Sequence, residues 1–115
     1  FDRFEFATSN DGSSFDGLTA CADTDSIEIG QWYFVTMVND SVNNQTKCSI
    51  NGGKFLTDGS SGVIYNSSSP ITIGTQYAGI GHFNGLVDDV KIFNYALTPQ
   101  QIQLEYNQGV VNFSP

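Results

Sequence analysis

The sequence predicts an all-β domain, an antiparallel β-sandwich with one short helix near its C-terminus. Three observations predict it. Short runs of alternating or β-branched apolar residues recur along the chain, Gly, Ser and Asn cluster between them, and helical periodicity is nearly absent until residue 98. In order, "DRFEFAT" (2–8) alternates, and "GLTACAD" (17–23), "SIEI" (26–29) and "QWYFVTMVN" (31–39) follow after polar breaks. "TKCSI" (46–50) runs into Asn51-Gly52, a dipeptide that suits the left-handed positions of a two-residue hairpin turn. "KFLTD" (54–58), "GVIYN" (62–66) and "SPITIG" (69–74) come next, and a long strand over 83–94 closes the set. Trp32, Val35, Val90 and Ile92 are the expected core anchors of these strands.

The helix is predicted over 98–107. Thr98 is its N-cap, Pro99 takes the first helical position, and Gln101 completes a Thr-x-x-Gln capping box. Leu97 and Ile102 form a hydrophobic staple, Tyr106 lies one turn beyond Ile102, and Gly109 is the expected stop. A single domain over 1–109 with a polar tail over 110–115 follows.

Within 83–94 two aspartates stand side by side. Alternation puts Leu86, Asp88, Val90 and Ile92 on one face and Val87, Asp89, Lys91 and Phe93 on the other. Asp88 is thereby expected to point inward among apolar neighbours, where an unpaired carboxylate is costly, and Asp89 outward. Backbone N–H groups or Tyr and Thr hydroxyls would satisfy it, and so would a cation.

Bulk properties exclude several functions. The chain has 115 residues, 39% of them hydrophobic, so it holds one small domain with a core. Only four residues are Lys or Arg against twelve Asp or Glu, a net charge of −8. Nucleic acid and anionic membrane surfaces need clustered cations and are excluded as partners. No apolar run approaches the ~20 residues of a membrane-spanning helix. Sequons at Asn39, Asn44, Asn66 and Asn112 and a surface of Ser, Thr, Asn and Gly point to an extracellular or cell-surface setting. Cys21 and Cys48 suit either a disulfide or two buried thiols, since sequence does not place their Cα atoms.

Catalytic constellations are lacking. The three glutamates, Glu5, Glu28 and Glu105, are scattered, and Asp88-Asp89 face opposite ways, whereas a retaining glycosidase needs two carboxyl groups ~5 Å apart. His82, the single histidine, has no Ser/Asp arrangement around it and reads as an exposed loop residue. The expectation is that the chain is not an enzyme.

The segment "FNGLVDDVKIFNYALTPQQI" resembles the closing part of laminin-G-like jelly-roll domains of the concanavalin A-like lectin/glucanase superfamily. "GQWYFVTMV", "CSINGG" and "SPITIG" are similar to three earlier segments of that family, in the right order, so the resemblance covers about residues 30–106. Phe34 departs from it, standing where many relatives carry His. Family domains also carry further strands ahead of the region that begins here at Phe1. The resemblance therefore implies a jelly roll whose N-terminal strands come from a longer parent or from a neighbouring subunit.

The resemblance also implies a function. It makes Asp88 a candidate ligand for a structural calcium, alongside backbone carbonyls and residues from the absent N-terminal region; no other cofactor is expected. The acidic loop "CADTD" (21–25) offers oxygens without an EF-hand spacing. Tyr77, His82 and Asn84 in "GTQYAGIGHFNG" are candidate ligand-binding residues, because sugar sites pair an aromatic face with polar loop side chains; Tyr65 offers another such face. The expected function is a non-catalytic extracellular binding or adhesion module that recognises a glycan or an extracellular protein. The alternative is a structural subunit of a surface filament whose sandwich is completed by neighbouring copies.

Overall fold

The computed structural model describes residues 3–21, 27–77 and 80–111. Seven short strands precede one helix: β1 (Glu5–Thr8), β2 (Gly17–Ala20), β3 (Val35–Asp40), β4 (Gln45–Ile50), β5 (Leu56–Gly59), β6 (Thr75–Tyr77), β7 (Ile80–His82) and α1 (Pro99–Val111). Every pairing is antiparallel. β1 pairs with β2, β3–β4–β5 form a three-stranded sheet, and β6 pairs with β7. Antiparallel sheets with one helix are the architecture expected of a concanavalin A-like sandwich.

Local chemistry fixes the central sheet. The β3–β4 hairpin turns through residues 41–44, with Asn44 at a φ of 53°. The turn is held by Asp40, whose Oδ1 accepts the Asn43 backbone N–H (3.1 Å) and whose Oδ2 accepts Asn43 Nδ2 (2.8 Å) and Lys47 Nζ (2.7 Å). The next turn has Asn51 and Gly52 both at positive φ (53° and 66°), as a type I′ turn requires, and the Gly53 N–H bonds the Ile50 carbonyl. Asn51 also bonds Phe34 twice, through its own N–H and through Oδ1.

The β1–β2 layer lies against β4 and β5, and the seam is partly polar. Cys48 is buried there with Thr8, Thr19 and Thr46, while Val38 and Ser49 are buried on the opposite face of the central sheet. Thr19 Oγ1 sits 2.6 Å from Thr46 Oγ1, so two buried hydroxyls satisfy each other. Gly17 allows the layers to approach, because a Cβ there would lie 2.8 Å from Ser60 Cβ and 2.9 Å from Thr46 Cγ2. Cys21 and Cys48 form a disulfide, with Cα atoms 4.8 Å apart, which ties the end of β2 to the middle of β4.

The helix begins as its cap dictates. The Thr98 N–H bonds Gln101 Oε1 (2.9 Å) and the Gln101 N–H bonds Thr98 Oγ1 (3.2 Å), the reciprocal pair of a capping box. Ile102 is buried, and Tyr106 packs its ring 5.7 Å from that of Phe34. The helix continues past Gly109 to Val111, because a glycine lowers helical stability without stopping a helix that has no proline or left-handed cap at that point.

Several strand expectations are corrected. Residues 27–29, 62–66, 69–74 and 83–94 are not strands, whereas "TQY" and "IGH", read as loop, form the β6–β7 hairpin. Trp32 is 64% exposed, Val90 51% and Ile92 75%, and Val35 is half-buried, so these four do not make the core. Asp88 is exposed, not inward. An alternating run becomes a strand only when a neighbour meets its N–H and C=O groups, and among the described residues none meets those of 84–97. Asp89 instead takes a left-handed conformation (φ 51°) and gives its N–H to Asp88 Oδ1 at 2.8 Å.

Candidate functional site

Two surfaces have the geometry of recognition. The first is a polar loop cluster over 9–16 and 60–65. Asp11 organises "SNDGSS": its Oδ1 accepts the backbone N–H groups of Ser13 (2.8 Å) and Ser14 (2.9 Å) and the Ser9 hydroxyl, and its Oδ2 accepts the Ser14 hydroxyl. Those bonds, from the Ser13 and then the Ser14 backbone, hold the Asp11 carboxyl well below the usual carboxylate range. Asp16 clasps the second loop through the Ser61 N–H (2.8 Å) and hydroxyl (2.6 Å). The Tyr65 N–H bonds the Ser9 carbonyl, and the Tyr65 ring lies under Gly12, where a Cβ would meet it at 2.7 Å. Phe15 is 76% exposed beside a shallow depression lined by Ser9, Gly12, Ser13 and Ser14. Sequence reasoning left Asp11, Phe15 and Asp16 aside, although Asn, Asp, Gly and Ser in one run are the signature of such a turn.

The second surface is apolar. Twenty large hydrophobic side chains are exposed among the described residues, and thirteen of them lie between Val63 and Tyr95, which concentrates them on one part of the chain. The total accessible surface is 8633 Å², about 2,500 Å² above that of a compact monomer of this mass. Large hydrophobic side chains exposed in this number are a feature of association surfaces.

The residues singled out from sequence fall on or beside this second surface. Thr75 pairs with His82 and Tyr77 with Ile80 across the β6–β7 hairpin, and Asn84 follows two residues after His82. His82 and Asn84 are exposed, while the Tyr77 side chain lies outside the described residues. Phe83, between them, folds over Gly85, where a Cβ would meet its ring at 2.8 Å.

A calcium at Asp88 would have to draw on backbone carbonyls, waters or residues beyond those described. Calcium takes six to eight oxygens, and among the described residues no three His, Cys, Asp or Glu side chains gather. One Asp88 oxygen is already engaged by the Asp89 N–H. The rest of "CADTD" beyond Cys21 lies outside the described residues.

Of the sequons, Asn44 and Asn66 are exposed, on a turn and a loop. Asn39 lies within β3, half-buried, and its Nδ2 donates to the Gly62 carbonyl at 2.9 Å. Asn112 lies outside the described residues. Glu5 is paired with Arg3, and Glu105 Oε2 sits 2.6 Å from Lys91 Nζ, a contact that raises the Lys91 pKa.

A crystal structure of part of an S-layer domain-containing protein from Clostridium thermocellum superposes with a TM-score of 0.54 at 18% sequence identity. The match covers 90% of this chain and 51% of that one, so the chain spans about half its length and shares its fold. No curated protein sequence matches. The laminin-G-like family model described as "Concanavalin A-like lectin/glucanases superfamily" matches residues 2–103. With antiparallel sheets, a capped C-terminal helix and a family match over nearly its whole length, the chain belongs to the laminin-G-like family of the concanavalin A-like superfamily.

Proposed function

We propose that the chain is a non-catalytic binding or adhesion module that works outside the cell or at its surface, recognising an extracellular protein or a glycan. The observation that carries this reading is the exposed apolar surface over 63–95. Its aliphatic character favours a protein partner, since sugars are gripped by aromatic faces and hydrogen bonds rather than by Ile, Leu and Val. The Phe15–Tyr65 loop cluster and the His82–Asn84 stretch are the places where a glycan would find aromatic and polar groups together.

Three observations support the setting and the absence of catalysis. The Cys21–Cys48 disulfide suits an oxidising compartment. The superfamily includes glycosidases, yet Glu5 and Glu105 are each held by a cation of the chain rather than facing each other across a cleft. Asn44 and Asn66 present their amides to solvent.

A second reading has its own support. The similarity to an S-layer domain-containing protein and the unpaired backbone of 84–97 favour a subunit of a surface assembly.

Glycan and peptide arrays probed with the 115-residue chain, alongside sedimentation, test the pair of readings. Saturable binding by a monomer, lost in Leu86→Ser/Ile92→Ser, is the result expected of a recognition module. Ordered polymers without array binding would favour the subunit reading, and hydrolysis of a glucan would overturn both.

A further inference from the structure

We propose that Asn84 is a site of spontaneous succinimide formation and deamidation, and that the fold withholds the same reaction from Asn51. The chain contains two Asn-Gly dipeptides, Asn51-Gly52 and Asn84-Gly85. Both have the composition the reaction needs, because a following glycine has no Cβ to hinder attack and lets the backbone turn to bring the reacting atoms together. The glycine nitrogen loses its proton to water and attacks the asparagine Cγ. The N–Cγ bond forms, the Cγ–Nδ2 bond breaks, and ammonia leaves. Water then opens the ring at either carbonyl to give aspartate or isoaspartate, so the sequence of steps consumes no oxidant and no cofactor.

The structure separates the two sites. Asn51 Oδ1 accepts the Phe34 N–H at 2.9 Å, and the Asn51 N–H donates to the Phe34 carbonyl at 2.7 Å. Helix α1 lies over the same turn, with Gln103 Oε1 and Tyr106 Cδ1 each 3.1 Å from where a Gly52 Cβ would stand. Asn51 is itself exposed, so this clamp rather than burial protects it. Attack requires the side chain to leave Phe34 and the turn to rotate beneath α1, which only a local opening permits. Neither restraint exists at Asn84. Asn84 and Gly85 are exposed and lie outside every strand and helix, and among the described residues no hydrogen bond engages the Asn84 amide or the Gly85 N–H. The Phe83 ring, itself exposed, stands where a Gly85 Cβ would be and holds neither reacting group. The product changes the surface it forms on. Each event adds one negative charge to a chain already at −8 and replaces an amide two residues from His82 by a carboxylate. The isoaspartate form also lengthens the backbone just ahead of residue 86. A partner bonded to the Gly85 N–H would suppress the attack, whatever molecule supplied it.

Peptide mapping by mass spectrometry of the full chain, aged at neutral pH in heavy-oxygen water, tests the assignment, because ring opening writes solvent oxygen into the reacted peptide. The peptide carrying Asn84 should gain label at least about tenfold faster than the one carrying Asn51, which reacts only from an opened state. In urea the two should react at similar rates, which separates the effect of the fold from that of local sequence. Asn84→Gln should abolish label at that position, since the longer side chain closes its ring far more slowly. Ile102→Ala, or the milder Thr98→Ala, loosens α1 and should speed Asn51 while leaving Asn84 unchanged. Equal rates in the native chain, or an Asn84 peptide that stays unlabelled, would overturn the proposal. A difference that persists undiminished in urea would overturn the protection ascribed to the fold.

Discussion

Asp40 is the buried carboxylate that organises the β3–β4 hairpin. It is buried at the end of β3 and accepts from Lys47 Nζ, Asn43 Nδ2 and the Asn43 N–H. The Lys47 contact first, then Asn43, holds its carboxyl below the usual carboxylate range. A depressed folded-state pKa means stability that is fully present above the unfolded value, about 3.9, and that disappears as pH falls through the folded value. Urea midpoints should therefore drop between pH 5 and pH 2, and the drop should be smaller in Asp40→Asn; equal slopes in both proteins would remove Asp40 from the account. At neutral pH the same variant should lose roughly 1–3 kcal/mol, because three part-buried hydrogen bonds lose their charged acceptor. Gly17 supplies a second test at this scale. Gly17→Ala forces Ser60 and Thr46 apart and should cost about 1–3 kcal/mol, measured by thermal melting; an unchanged midpoint would mean that the layers are not in contact there.

Elements differ in how far local sequence decides them. The helix is decided almost entirely by its own residues, so Thr98→Ala should cost about 0.5–2 kcal/mol through the lost cap, and Ile102→Ala about 2–5 kcal/mol through the lost packing. Denaturant titrations of the two variants check both values, and an Ile102→Ala loss below that of Thr98→Ala would place the helix off the sheets. The Asn51-Gly52 turn was legible for the same reason, since both positive φ values are a property of the dipeptide. The run 83–94 was not, because alternation states what a strand would bury and not whether a partner is there to bury it. The same limit misplaced Trp32, which precedes β3 rather than anchoring it, and Asp88, whose expected burial depended on that partner. The β6–β7 hairpin went unread because "GTQYAGIGHF" has too few apolar alternations, and Gly81 at a φ of 69° interrupts its second strand. Asp11 and Asp16 were visible only as turn residues; that Asp16 and the Ser9 carbonyl tie this loop to a distant one depends on Ser61 and Tyr65, which no local pattern links to them.

At the scale of the whole molecule, a small disulfide-tied core supports a much larger apolar exterior. The disulfide closes a separation of 27 residues, so its reduction should cost about 3–4 kcal/mol. The core it secures joins β1–β2 to β3–β4–β5, whereas among the described residues 84–97 draws no backbone–backbone hydrogen bonds from it. The central claim is that this segment is exposed in the free chain and made to be covered. Residue-resolved amide hydrogen exchange on dilute, monomeric protein measures that most directly. Amides of 46–50 in β4 should be protected to near the global unfolding free energy, while those of 84–97 should exchange close to the rate of an unstructured chain. Protection of 86–93 equal to that of β4 in a proven monomer would contradict the account, because it would mean that the chain already pairs this strand within itself.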